Sequence, residues 1–219
     1  MKRIFLSVLL TISGLTYSLQ RESFGQTVYD VTPGTKGNRI IITLENESKA
    51  SRAENVEVKL VKSSPALNFA ERQQVVKIID KSKSKNVVFS FDIKRNIESD
   101  KKDTIEFAIS GNGINQNKSF IINYAAPKEY GLSQNFPNPF NPTTTIRYDL
   151  PVGCKVSLKI YDILGNEVQT LVNGEQAAGY KEIRFDGSSL ASGVYIYRLT
   201  ADNPAWKNFV SIKKMMMVK

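Results

Sequence analysis

The stretch Asn135–Pro151, "NFPNPFNPTTTIRYDLP", decides how the rest of the chain is read. Pro137, Pro139 and Pro142 fix φ and bias the residues before them to extended conformations. Proline cannot donate to a ladder, so this part lies along a sheet edge rather than inside a sheet. From Thr143 the pattern alternates, with Ile146, Tyr148 and Leu150 on one face, the period of a half-buried strand. The stretch is thus a stiff strap that leads into a strand. A plain proline-rich linker needs neither Phe136 and Phe140 nor a strand directly after it. Both phenylalanines are expected to pin the strap onto the sheet it enters.

The alternation continues to the last residue. "KVSLKIYDI" places Val156, Leu158 and Ile160 on one side; "NEVQTLV", "YKEIRFDG", "SGVYIYRLT" and "FVSIKKMMMVK" follow. Gly165-Asn166, Asn173-Gly174, Asp186-Gly187 and Ser192-Gly193 are expected as the turns between them, because Asn and Gly tolerate the positive φ of hairpins. Gly193 is expected to supply that φ where the chain enters "VYIYRL". Residues 135–219 therefore read as a sandwich of six or seven strands.

On the N-terminal side, "NYAAPKEYGLSQ" interrupts the pattern, and residues 126–134 read as a linker. Before it, residues 26–125 alternate again: Ile40, Ile42 and Leu44; Val56, Val58 and Leu60; Val87, Phe89, Phe91 and Ile93; Ile105, Phe107 and Ile109; Phe120, Ile122 and Tyr124. "QQVVKIID" adds a shorter strand from Val75 to Ile79, and "GNG" at 111–113 is a hairpin turn without the strand–helix setting of a dinucleotide loop. No stretch keeps a helical period over three turns; "SPALNFAERQQ" is nearest, and its apolar residues are too sparse. A chain of 219 residues suits two small domains. The expected fold is all-β: two antiparallel, immunoglobulin-like β-sandwiches.

The first residues are of another kind. Lys2 and Arg3 precede an apolar run, Ile4–Leu15. As a helix this run is about 18 Å long, short of a roughly 30 Å hydrocarbon core. It reads as a cleaved secretory leader, residues 1–25, rather than an anchor or a buried helix. Cleavage after Ser18 or after Gly25 fits; the first strand-like run starts straight after Gly25. Loss of residues 1–25 removes Lys2, Arg3, Arg21 and Glu22 and takes the net charge from +9 to +7.

The remaining lysines are scattered, often beside acids ("KLVKSS", "DIKRNIESDKKD"), so no basic face with interleaved aromatics marks a nucleic-acid partner. The chain has no histidine, which excludes Ser-His-Asp, Cys-His and HExxH sites. One cysteine, Cys154, permits no intrachain disulfide and, without histidine, no transition-metal cofactor site. Cys154 shares strand parity with Val156, Leu158 and Ile160 and is expected to be a small buried hydrophobe. The acidic loop "NIESDKKD" has lysines beside its carboxylates and reads as solvated rather than as a calcium site.

Taken together, "NFPNPFNPTTTIRYDLP", "VSLKIYDILGNEVQTLVNGEQAAGYKEIRFDGSSLASGVYIYRL" and the basic terminus "IKKMMMVK" resemble the type A C-terminal sorting domain of the type IX (Por) secretion system of Bacteroidetes-type bacteria. The resemblance covers residues 130–219 in the family's order and spacing. Cys154 departs from it, at a position where a small or polar residue is expected. The resemblance implies export by a signal peptide and then across the outer membrane. It implies, as partners, the secretion machinery and a sortase-like surface peptidase that removes the domain. The mature part is then released or attached to anionic lipopolysaccharide. By motif, the sorting signal maps onto Gly193, Tyr195, Lys213, Lys214 and Lys219. "DTI" at Asp103–Ile105 matches a short O-glycosylation pattern of such exported proteins, at Thr104. The first half is only loosely similar to the immunoglobulin-like domains that accompany catalytic or adhesive modules.

These readings give a non-catalytic surface or secreted protein, with no catalytic residues and no cofactor, whose first sandwich binds glycan or protein. The alternatives are a small carboxylate-dependent glycan-active enzyme, marked by a cleft of convergent carboxylates in residues 26–125, and an accessory subunit of a larger surface complex, marked by an exposed apolar patch.

Overall fold

The computed structural model describes the backbone of residues 4–12, 15–19, 28–111 and 113–219, and the side chains of residues 28–219 apart from 112 and 114. Every regular element among them is a strand. The chain divides into two compact units, Met1–Lys94 with Lys101–Tyr124, and Arg95–Asp100 with Ala125–Lys219.

The first unit holds β1 (Ile4–Ile12), β2 (Leu15–Leu19), β3 (Val28–Val31), β4 (Asn38–Asn46), β5 (Ala53–Lys62), β6 (Leu67–Phe69), β7 (Gln73–Ile79), β8 (Ser84–Ile93), β9 (Lys102–Gly111) and β10 (Ile114–Tyr124). One sheet runs β2-β1-β4-β8-β6 and the other β3-β10-β9-β5-β7. The pairs are antiparallel except β3 with β10, which is parallel, a departure from the expected purely antiparallel sandwich. The alternating residues of the sequence face inward: Ile40, Ile42, Leu44, Phe89, Phe107 and Ile122 are all buried. Phe89 and Phe107 meet across the core with ring centroids 4.7 Å apart. The β9–β10 hairpin needs its glycines. Gly111 has φ +119, and a Cβ there would stand 2.4 Å from the Asn55 carbonyl oxygen. The apolar N-terminal run, read from sequence as a leader, is β1 here and lies antiparallel along β4 from Ile4↔Asn46 to Thr11↔Arg39.

The second unit holds β11 (Gly131–Leu132), β12 (Thr143–Leu150), β13 (Cys154–Tyr161), β14 (Glu167–Gln176), β15 (Gly179–Asp186), β16 (Gly193–Asp202) and β17 (Phe209–Met217). Its sheets are β11-β12-β15 and β14-β13-β16-β17, so the hairpin β13–β14 crosses to the opposite sheet before β15 returns to pair with β12. Ile146, Tyr148, Leu150, Val156, Leu158, Ile160, Phe185 and Leu199 fill the space between them. Asn173-Gly174 is not a turn. It lies inside β14, and the chain reverses instead ahead of Gly179, whose φ is +143. The strand runs through the Asn-Gly pair because β13 pairs with it in unbroken register from Leu158↔Val172 to Cys154↔Gln176.

Cys154 is buried at the start of β13, in the parity the sequence predicts. Burial pushes its thiol pKa up. The thiolate is the reactive form. Cys154 is therefore expected to resist a maleimide at pH 7 in the native protein and to react fully in denaturant. Fast native labelling would show that the second sandwich opens at this edge.

Candidate functional site

The residues mapped as a sorting signal lie at one end of the second unit, where the strap meets β16 and β17. The strap spans both sheets. Phe136 bridges Thr145 of β12, and Phe140 bridges Met217 of β17. Their main chains exchange hydrogen bonds: Phe136 N–H to Thr145 O and Thr145 N–H to Phe136 O at 3.0 Å each, Phe140 N–H to Met216 O at 2.9 Å, and Val218 N–H to Phe140 O at 3.0 Å. The two phenylalanines differ in role. Phe140 is buried against Phe185, with centroids 5.8 Å apart. Phe136 is 79% exposed and pins nothing, a correction to the sequence expectation. Phe136 bridges one sheet and Phe140 the other, so the two side chains need not share a face.

A polar node not singled out from the sequence holds the strap's first turn. The Asn135 N–H donates to Tyr197 Oη at 2.9 Å, and that phenol donates to Ser133 O at 2.8 Å. Asn135 Nδ2 donates to Pro137 O and Thr144 Oγ1, and Thr144 Oγ1 donates to Pro137 O. Asn135, Thr144 and Tyr197 are all buried, so each polar atom needs such a partner. Burial pushes the Tyr197 phenol up to about 12, so it stays a neutral donor. The signal in the sequence was an Asn in a proline strap with a Thr nine residues on, a local pattern too common to single out.

Of the mapped signal residues, Gly193 opens β16 opposite Met217, and Tyr195 stands opposite Met215. Gly193 does not have a positive φ, and a Cβ there would meet nothing within 4 Å, so its expected turn role is corrected. The chain enters β16 already extended. Tyr195 is buried, and its hydroxyl donates to Ala191 O at 2.9 Å, which ties down the loop before the strand. Lys213 is half-buried opposite Tyr197, Lys214 is exposed opposite Ile196, and Lys219 is exposed with its N–H on Ser192 Oγ at 3.0 Å. Thr104 stands half-buried in β9, paired with Ile121.

The outward face of this end is apolar and basic. Val194 pairs with Met216, Arg198 with Ile212, and Thr200 with Val210. Val194, Val210, Ile212, Met216 and Val218 are all exposed, and none packs in the core. A second exposed apolar pair, Ile163 and Leu164, sits on the β13–β14 turn. That turn is held rigid: Leu164 N–H, Asn166 N–H and Asn166 Nδ2 donate to the Asp162 carboxylate at 2.9 Å, and Gly165 has φ +87. These bonds, Asn166 first, hold the Asp162 carboxyl below its ordinary pKa. Chemically, this end can bind but carries no nucleophile–base pair. In the first unit, an open concavity of about 560 Å³ is lined by Ala50, Ser51, Arg52, Asp80 and Lys81, one carboxylate with two cations.

Residues 134–213 match the family model of the secretion system C-terminal sorting domain. No curated protein matches the chain. Among solved structures, the chain is similar to dimeric latent PorU from Porphyromonas gingivalis, at 16% identity and a TM-score of 0.35, over 100% of this chain and 20% of that one. It is similar to red sea bream transglutaminase at 14% identity and a TM-score of 0.35, over 100% and 32%. A protein of unknown function from Porphyromonas gingivalis W83 follows at 9% identity and a TM-score of 0.33, over 88% and 94%. This chain thus spans about a fifth of the PorU chain and about a third of the transglutaminase. At these scores the structural likenesses carry no functional argument.

Proposed function

Because its C-terminal part is a type IX secretion-system sorting domain, we propose that this chain is a leader-bearing, non-catalytic cargo whose first sandwich binds a glycan or protein at the cell surface. The protein is a cargo of that system, engages its secretion machinery, and is exported to the cell surface or secreted. In the finer scheme we propose, the leader is 1–25, the cargo sandwich 26–125, the linker 126–134 and the sorting domain 135–219. In it the sortase-like peptidase removes most of residues 130–219, and the cargo is released or joined to anionic lipopolysaccharide.

One observation supports the location of the signal. The outward face of β16 and β17 exposes Val194, Val210, Ile212 and Met216 beside Lys214 and Arg198. These side chains lie outside the core, and a cluster of exposed apolar groups rimmed by charge marks an interaction surface. Gly193, Tyr195, Lys213, Lys214 and Lys219 all lie at that end. In this reading Tyr195 fixes the strip from behind, and the exposed Lys214 and Lys219 supply charge.

The test is charge reversal at the exposed cations, Lys214→Glu with Lys219→Glu, in the full chain and in a host with the secretion system. Surface delivery should fall to background while the melting temperature stays within about 3 °C, as for exposed substitutions. Fractionation and intact-mass analysis read the result. Normal surface delivery of the folded variant would remove this end from the signal.

A further inference from the structure

From the edge of β4 we infer that the processed protein is a twofold dimer, formed by antiparallel pairing of β4 with β4 of a second copy. The inference rests on the proposal that residues 1–25 are removed. Cleavage after either Ser18 or Gly25 takes away β1, which is the strand that pairs with β4 on the side away from β8. The sheet then shrinks to β4-β8-β6, with β4 as its edge.

That edge is unusually open. Asn46 N–H donates to Lys83 O of the turn into β8, at 2.9 Å. The even-numbered residues of β4 therefore turn their main-chain groups toward β8. The odd-numbered ones, Arg39, Ile41, Thr43 and Glu45, turn theirs toward the vacated side. Natural edges are blunted by proline, bulges or inward-pointing charge. The sequence "NRIIITLEN" has no proline, its pairing with β8 runs without a register shift, and its inward residues Ile40, Ile42 and Leu44 are buried and apolar.

The occupant follows from the strand's own symmetry. Read about Ile42, β4 is nearly its own complement. In an antiparallel pair centred there, Ile42 faces Ile42 of the second copy, Ile40 faces Leu44, Ile41 faces Thr43, and Arg39 faces Glu45. The same pairings recur on the other side of the axis. The axis at Ile42 makes Ile41 with Thr43, and Arg39 with Glu45, the hydrogen-bonded pairs, because the odd-numbered residues own the free groups. Arg39 and Glu45 are both exposed on the outward face, so the register that completes the ladder also brings opposite charges together at both ends. A twofold contact of this kind is isologous and closes at two copies. It joins two three-stranded sheets into one of six.

The experiment uses the full chain, directed to the periplasm of a Gram-negative host that lacks type IX secretion. Intact mass of the purified product reads processing, and sedimentation equilibrium reads assembly. A product lacking residues 1–25 that sediments as a dimer supports the inference. Arg39→Glu should weaken that dimer by about tenfold or more, since it sets Glu against Glu at both ends. Adding Glu45→Arg should restore it, which no other register predicts. Ile41→Pro, which removes an edge-facing N–H only, should give a folded monomer. A processed monomer, an open-ended assembly, or a dimer indifferent to Arg39→Glu overturns the inference and leaves the leader reading standing. Retention of residues 1–25 overturns the leader reading and this inference with it.

Discussion

A chain that ends at Ile212 is expected to accumulate in the periplasm, with its second unit protease-sensitive and its first unit intact. The lost residues are more than an appended signal. Lys213–Met217 complete β17, pairing with β16 from Tyr197↔Lys213 to Gly193↔Met217. Met215 and Met217 are buried, and loss of such a side chain costs about 2–5 kcal/mol each. Met216 also receives the strap twice, its N–H donating to Asn138 Oδ1 and its carbonyl accepting from Phe140. The sum approaches the roughly 5–15 kcal/mol that holds a whole domain together. Truncation therefore tests folding and recognition at once, whereas the charge reversal at Lys214 and Lys219 tests recognition alone. Limited proteolysis of the periplasmic fraction checks the difference. A truncated chain with a protease-resistant second unit would show that β17 is dispensable to the sandwich.

Phe140→Ala is expected to destabilise the second unit by about 3–5 kcal/mol, and Phe136→Ala by no more than about 0.5 kcal/mol. The two rings sit four residues apart in one strap, but Phe140 fills the core beside Phe185 and Met217 while Phe136 stands in solvent. Gly187 belongs to the same packing: a Cβ there would stand 3.2 Å from the Phe140 ring and 3.0 Å from Met217 Sδ. Urea denaturation of the full chain should show the transition of the second unit moving in one variant only. Equal shifts would mean that the strap is held by its main chain and not by Phe140.

The strands were legible because each sheet has one wet face, so burial writes itself into the sequence with period two. Ile40 to Leu44, Val56 to Leu60 and Val156 to Ile160 all point as their alternation requires. What failed were local signals overruled by distant partners. Asn173-Gly174 has hairpin chemistry, but β13 continues beside it and holds it extended. Gly193 looked like a turn residue, but Met217 pairs with it as a strand residue. The parallel pairing of β3 with β10 was not legible, because strand order depends on residues far apart in the chain. At the candidate site, Gly193, Tyr195, Lys213 and Lys214, taken from the motif, lie on the paired strands β16 and β17. The node of Asn135, Thr144 and Tyr197 was hidden, because its three members meet only after two sheets have closed.

The buried thiol of Cys154 has a consequence for the journey rather than for the destination. Export takes the chain through a compartment where disulfides form readily. A lone cysteine can form a disulfide there only with another molecule. Once β13 is covered, Cys154 is shielded, and the folded sandwich is inert to that fate. The hazard is therefore confined to the interval between translocation and closure of the second sandwich. A slow-folding copy is therefore the one expected to be recovered as a mixed disulfide.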